Sequence, residues 1–145
     1  MESNASRYEF MAEPFHCDFS HHLFLGHLGN HLLNASDFHS DEHDFGVVYL
    51  NKRNATWVLS RLAIEMNEMP REYDKFTIET WVENVYRFFT NRNYAIQGTD
   101  GKVYGYARSV WAMIDKESRQ PVDLLSIRDG AINEYMMPEK QAPID

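Results

Sequence analysis

Apolar and polar positions recur with two different periods along this chain, and the change of period divides it. Leu25, Leu28, Leu32, Ala35 and His39 return every three or four residues, with Phe24 and Phe38 flanking them and Asn30, Asn34, Asp37 and Asp41 opposite. That spacing predicts a helix from about Ser20 to His43. Ser20 is the expected N-cap, because its hydroxyl can accept from a free N–H of the first turn. Gly46 is the expected stop just beyond the helix. Gly26 and Gly29 are poor helix formers inside it.

Elsewhere the period is two. Tyr8 to Phe15 reads as a first strand, with Pro14 near its end. After a polar loop at Asn51 to Asn54, Thr56 to Met66 reads as a second strand, and Pro70 to Asp74 as a turn. Between Lys75 and Val85, Phe76, Ile78, Thr80 and Val82 alternate with Glu79, Trp81 and Glu83, a β pattern rich in branched and aromatic residues. Tyr86 to Gln97 continues as another strand after a bend near Asn84. Thr99-Asp100-Gly101-Lys102 predicts a tight hairpin, since Asp-Gly supports positive φ angles. Val103 to Asp115 is the last long strand. Pro121, Pro138 and Pro143 punctuate the C-terminal stretch. The expected division is a domain over residues 1–125 and a linker or strap over 126–145, outside the sheet. One strand, one long helix and then some four antiparallel strands make an α+β layer pattern. The simplest packing wraps a curved antiparallel β-sheet around one long central helix, which is the hotdog fold.

Composition narrows the function. With 145 residues, 43 % of them apolar and 14 % aromatic, the chain is one globular domain able to bury a real core. A net charge of −8 excludes a non-specific nucleic-acid binder, which needs concentrated Lys and Arg. The single cysteine, Cys17, allows no internal disulfide and no metal site by itself, and fits a reducing compartment. Met1 to Phe10 lacks a basic-then-apolar signal pattern, and no apolar run approaches the ~20 residues of a membrane span. The expectation is a cytoplasmic protein with neither nucleic acid nor membrane as partner.

Candidate chemistry gathers in one stretch, because all seven histidines lie between His16 and His43. His27/His31 and His39/His43 are i, i+4 pairs, a spacing that lets two imidazoles share a metal, with Asp41 and Glu42 nearby. No His-Glu-x-x-His occurs. Polar helix histidines are therefore the preferred reading, and no metal or cofactor is expected. His39, at the end of the apolar stripe, reads either as pocket-lining or as buried with a partner. Trp57 and Arg61 lie two alternations apart and are expected on one side of a strand. Trp57 then either walls an apolar pocket or fills the core, and Arg61 pairs with Glu65 or Glu79. Arg87, Arg92, Lys102, Arg108 and Arg119 are the cations of the sheet half.

Three stretches carry a family signal: His22-Leu23-Phe24-Leu25-Gly26 through Asp44-Phe45-Gly46, then Asn54 to Arg61 (Asn-Ala-Thr-Trp-Val-Leu-Ser-Arg), then Ser109 to Asp115 (Ser-Val-Trp-Ala-Met-Ile-Asp). Thr80-Trp81-Val82-Glu83 and the Arg87 to Arg92 region lie between them. In this order the set resembles the amino-terminal half of the acyl-acyl-carrier-protein thioesterases, bacterial type, from about Tyr8 to Ile127. The resemblance implies two hotdog domains in tandem that hydrolyse acyl-carrier-protein thioesters in fatty acid biosynthesis. It implies an acyl chain held between helix and sheet, where Leu25, Leu28, Leu32, His39 and Trp57 would form the pocket. It implies docking of an acidic carrier protein bearing the fatty acyl chain, for which Arg87, Arg92 and Arg108 are candidates. The family's main catalytic signature, of the type Asp-x-Asn-x-His-x-Asn, belongs to the second domain and does not occur here.

Asp18-Phe19-Ser20-His21-His22 also resembles the Asp-x-x-Gly-His entrance of single-domain hotdog thioesterases, with His21 in place of Gly and Phe24 and Leu25 in place of two Asn. On that likeness Asp18 and His22 are catalytic candidates. The carboxylate would activate water while helix N-terminal amides polarise the thioester carbonyl. A purely structural role for Asp18 at the helix entrance stands beside it. The open sheet edge of a hotdog implies a homodimer or pairing with a second hotdog domain. Two functions remain open: thioester hydrolysis in which this chain supplies the acyl-binding half, and a non-catalytic acyl-binding or interaction domain.

Overall fold

The structure, a computed structural model, describes residues 4–144, with only the backbone path for 128–131. The expected domain limits at residues 1 and 145 lie outside the described residues. Strands β1 (Ser6–Met11), β2 (Ala55–Met66), β3 (Lys75–Val85), β4 (Thr90–Gly98) and β5 (Val103–Asp115) form one antiparallel five-stranded sheet in the order β1-β3-β4-β5-β2. Helix α1 (Leu25–Glu42) lies against its inner face, and a short helix α2 (Val47–Lys52) comes next. The α+β hotdog architecture expected from the alternating patterns is therefore present.

Helix α1 starts later than Ser20, and the reason is local. Asp18 Oδ1 accepts from the Ser20 amide at 2.9 Å, the Ser20 hydroxyl at 2.6 Å and the His22 amide at 3.3 Å. These bonds close a loop with His21 at φ 65°. Ser20 is spent there, and Phe24 takes the N-cap position without a side-chain bond. The other end is a Schellman motif: Phe45 N–H donates to Ser40 C=O at 2.7 Å and Asp44 N–H to Asp41 C=O at 3.0 Å, with Asp44 at φ 63°. Asp44, not Gly46, is the left-handed stop. Gly46 instead caps α2, where a Cβ would come within 2.9 Å of Asp41 Cβ, so its lack of a side chain lets α2 start against the last turn of α1.

Leu28, Leu32 and Ala35 of α1 are buried against Phe76, Ile78, Tyr94, Ile96 and Ala107 of the sheet. Leu25, expected on the same stripe, is exposed because it opens the helix beyond the sheet's cover. Gly29 has open space where its Cβ would be and sits mid-helix. Gly29→Ala should stabilise the domain by about 1 kcal/mol through helix propensity. An unchanged or lower urea midpoint would contradict this.

The β4–β5 turn is as expected, with Gly101 at φ 87° and Asp100 Oδ1 accepting from Lys102 N–H at 3.0 Å. The strand expected from Tyr86 begins only at Thr90. Tyr86 N–H donates to Phe89 C=O at 2.8 Å, so Tyr86 to Phe89 form the β3–β4 hairpin tip.

A 3₁₀ segment (Leu124–Tyr135) buries Leu124, Ile127, Ile132 and Tyr135 in a second cluster with Phe45, Leu50, Val82 and Met113. The boundary expected after residue 125 falls inside this packed segment. Beyond it the chain crosses the outer face of the sheet as a strap. Met137 N–H donates to Val82 C=O at 2.8 Å, Trp81 Nε1–H to Lys140 C=O at 2.8 Å, and Ala142 N–H to Asn93 Oδ1 at 2.9 Å.

Candidate functional site

Between the C-terminal half of α1, helix α2 and the inner face of the sheet lies a cleft of about 300 Å³. Leu33, Val47, Leu50, Trp57, Val82 and Ile132 supply its apolar wall. Exposed Asn34, Val47 and Asn51 mark its mouth, and buried Ser36, Ser40, Arg92 and Tyr135 its floor. The volume is at the lower end of the roughly 300–1,000 Å³ range of ligand pockets.

Two hydrogen-bond chains build the floor. In the first, the indole N–H of Trp111 donates to Ser109 Oγ at 2.7 Å. Ser109 Oγ meets the Tyr94 hydroxyl at 2.9 Å, that hydroxyl meets Ser36 Oγ at 2.6 Å, and Ser36 donates to Leu32 C=O at 2.8 Å. An indole only donates and a carbonyl only accepts, so every hydroxyl between them points the same way. The second chain is anchored by His39, which is fully buried. Its Nε2 lies 2.9 Å from Asn4 C=O, and its Nδ1 lies 2.8 Å from Arg92 Nη1. The carbonyl requires Nε2–H, so Nδ1 accepts from Arg92 and the ring is neutral. Burial, then the Arg92 charge, push its pKa down to about 3. Arg92 further donates to Thr80 Oγ1 at 3.2 Å and to Ser40 Oγ at 3.1 Å.

Of the expected pocket residues, only Trp57 lies on this wall, with its Nε1–H bonded to Phe45 C=O at 2.9 Å. Leu28 and Leu32 face the neighbouring core, Leu25 faces solvent, and His39 stands behind Arg92. The wall uses the adjoining helix face, Leu33-Ser36-Asp37-Ser40. Two serines spaced i, i+4 on a helix were the available signal for it. Trp57 and Arg61 do not share a side. The β2–β5 register shifts between Leu59 and Arg61, so Trp57 faces inward with Met113 and Arg61 outward with Val110. Glu79, an expected partner of Arg61, is held instead by Arg7 at 2.9 Å and Lys140 at 2.6 Å.

The three expected docking arginines do not form one patch. Arg92 alternates with Asn91 and Asn93 on β4 and points inward, 5 % exposed. Arg108 faces outward, where it holds the buried Glu83 at 2.8 Å. Arg87, at the β3–β4 tip, pairs with Asp123 at 3.2 Å.

Asp18 and His22 are together but lie at the N-terminal end of α1, away from the cleft wall. Asp18 is exposed and its carboxyl is held below the usual carboxylate range, first by the Ser20 hydroxyl. Ser20 Oγ lies 2.9 Å from His22 Nδ1. The helix histidines are engaged by rings: His27 stacks on His16 at 4.1 Å, His31 lies 4.6 Å from Phe10, and His43 stacks on Tyr135 at 4.0 Å. Among the described residues, no three His, Cys, Asp or Glu side chains come together to hold a metal. Among them, too, no helix is long and apolar enough to cross a membrane.

A helix laid in a five-stranded antiparallel sheet, with a ligand-sized cleft between them, defines a hotdog domain of the thioesterase structural class. A family model for the acyl-ACP thioesterase N-terminal domain matches residues 4–135, and the chain belongs to that family. It is 52 % identical to an acyl-ACP thioesterase of Bacteroides thetaiotaomicron, with a TM-score of 0.88 over 98 % of this chain and 56 % of that one. It is 30 % identical over 95 residues to oleoyl-acyl carrier protein thioesterase 1 of Arabidopsis thaliana, a match covering 65 % of this chain and 25 % of that protein. The 12:0-ACP thioesterase of Umbellularia californica, 15 % identical, shares the fold, with a TM-score of 0.82 over 98 % of this chain and 53 % of that one. The chain thus spans about a quarter of the curated relatives it matches and about half of these solved ones.

Proposed function

We propose that this chain is the acyl-binding hotdog of a thioesterase that cleaves fatty acyl chains from acyl carrier protein in fatty acid biosynthesis. The cleft between α1, α2 and the sheet carries the reading, because an apolar wall with few convergent polar groups suits an acyl chain. Membership of the family supports the substrate class. The thioester stays at the mouth while the chain enters towards Trp57 and Val82. The open edge of β2 is where a second hotdog, in another domain or another copy of the chain, completes the assembly. In that assembly Asp18, at the entrance to α1, is the group proposed to meet a water beside the partner hotdog, with His22 next to it.

Titration with decanoyl-carrier protein, followed by the fluorescence of Trp57 and Trp111, tests the binding reading. Saturable quenching is expected, and its absence in the folded protein would sink the proposal. Thioester hydrolysis by the same preparation separates an acyl-binding half from a self-sufficient enzyme. If hydrolysis is present and Asp18→Asn leaves kcat unchanged, the catalytic role of Asp18 is wrong and its loop-closing bonds are its whole function.

A further inference from the structure

Of the polar residues on the cleft floor, Ser36, Ser40, Arg92 and Tyr135, it is Arg92 that carries a charge. Arg92 is 5 % exposed and lines the cleft. Its bonds go to neutral atoms, His39 Nδ1, Thr80 Oγ1 and Ser40 Oγ. Among the described residues no carboxylate lies within ion-pair distance of it, although Asp37 shares the cleft wall, its Oδ1 accepting from Val47 N–H at 2.9 Å. The contrast with the outer face is direct, since the buried Glu83 there is held by both Arg108 and Asn93. A guanidinium has five N–H donors, and these three bonds leave two of them, together with an uncompensated charge. Burying a charge without a counter-charge is costly, and a purely hydrocarbon ligand would deepen that cost by displacing water from the floor. Nor can the neighbours change to match it. The Ser36–Tyr94–Ser109 chain runs to a carbonyl, and His39 is locked neutral by Asn4.

We infer that the cleft selects acyl chains that carry an oxygen acceptor, a hydroxyl or a carboxylate, at the end remote from the thioester, with Arg92 as the specificity-determining residue. The direction comes from exposure: Asn34 and Asn51 stand at the mouth and Arg92 at the floor, so a chain entering tail-first brings its distal end to the guanidinium. The inference rests on the acyl-binding reading above and names the substrate class of the same site.

The test uses the N-acetylcysteamine thioesters of decanoic acid, ω-hydroxydecanoic acid and decanedioic acid, with affinity read by tryptophan fluorescence and calorimetry on the whole chain. At least one oxygenated chain should bind about ten-fold or more tightly than decanoyl, as for a hydrogen bond to a charged group. The two oxygenated arms show whether a hydrogen bond suffices or a counter-charge is needed, and a preference for either supports the inference. Arg92→Met should bring all three affinities within about two-fold of one another, and Arg92→Lys should retain part of the preference. Equal binding of all three by the unaltered chain, or tighter binding of decanoyl, overturns the inference and leaves the acyl-binding reading standing. No binding of any overturns both. The comparison in the unaltered chain decides the matter even where Arg92→Met does not fold.

Discussion

Gly105→Ala is expected to cost about 3 kcal/mol or more and to lower the melting temperature by about 10 °C. Gly105 faces Met66 across the β2–β5 ladder, at the point where β5 crosses the end of the edge strand. A Cβ there would overlap the Glu65 carbonyl oxygen and come within 2.5 Å of Met66 Sδ and 2.7 Å of Met66 Cα. The thioether can swing away, but the carbonyl and Cα are backbone. Relief therefore requires β2 to move off β5, which opens bonds on both sides of the contact. The Tyr104 carbonyl, which accepts from Asn67 N–H at 2.8 Å, lies next to the strain and would be lost with it. β2 also carries Ala55, Thr56 and Trp57 on the cleft wall. A destabilised β2 should weaken acyl binding before the domain melts. Thermal melting read by circular dichroism, beside Gly29→Ala as the control of opposite sign, measures the effect. A Gly105→Ala variant melting within about 2 °C of the parent would show that the two strands tolerate separation here.

Much of this ladder could be read from the chain before folding. Lys75 to Thr80 alternates because one face is buried under α1 and the other is more open, while Thr80 to Glu83 are all buried, with the strap over Trp81 on the outer face. Asp100-Gly101 marks its hairpin because positive φ is cheap there. The failures have equally local causes. Val47-Val48-Tyr49-Leu50 is a short branched apolar run with no helical period, yet it forms α2, started by Gly46 against Asp41. The turn at Arg87-Phe88 lacks Gly, Asn or Pro, so nothing marked the hairpin. A single bulged residue, Ser60, reversed the phase of Arg61 relative to Trp57, and no side-chain pattern announces one extra residue.

The candidate site was less legible than the fold for a further reason. The helix stripe identified the face that fills the core, while the cleft uses the face beside it. Ser36 and Ser40 read as ordinary polar helix residues until Tyr94 and Arg92 are brought to them from β4. Arginine in a strand is usually a surface residue. Its inward direction at Arg92 depends on register with Ser109, which the chain does not display as a pattern.

Acid should destabilise the domain through His39 by about 2 kcal/mol between pH 7.5 and pH 5, taking an ordinary histidine pKa of about 6.5 for the unfolded chain. In the folded chain that pKa is pushed down to about 3 by burial and then by Arg92. Above about pH 6.5 neither state binds the proton, and the full stability is present. Between about pH 6.5 and pH 3 the unfolded chain takes up a proton that the folded chain refuses, so stability falls as pH falls. Burial also lowers His31 and His43, which adds in the same direction. The groups facing His39 explain why it resists protonation. Arg92 comes from β4, His43 lies one turn along α1, and Tyr135 comes from the 3₁₀ segment with its ring 5.7 Å away. The Tyr135 hydroxyl is itself pushed up to about 12 by burial and offers no negative charge near neutrality. A proton added at Nδ1 would point at the guanidinium it now accepts from, so acid breaks the bond that fixes Arg92 at the cleft floor. Urea unfolding at the two pH values, compared between the parent and His39→Gln, isolates the effect. Glutamine can accept from Arg92 and donate to Asn4 without titrating, so its pH-dependent loss should be smaller by about 2 kcal/mol. A His39 imidazole resonance, assigned by its loss in the variant, that titrates near pH 6.5, or an identical pH slope in the variant, would show that His39 is not the buried neutral partner of Arg92.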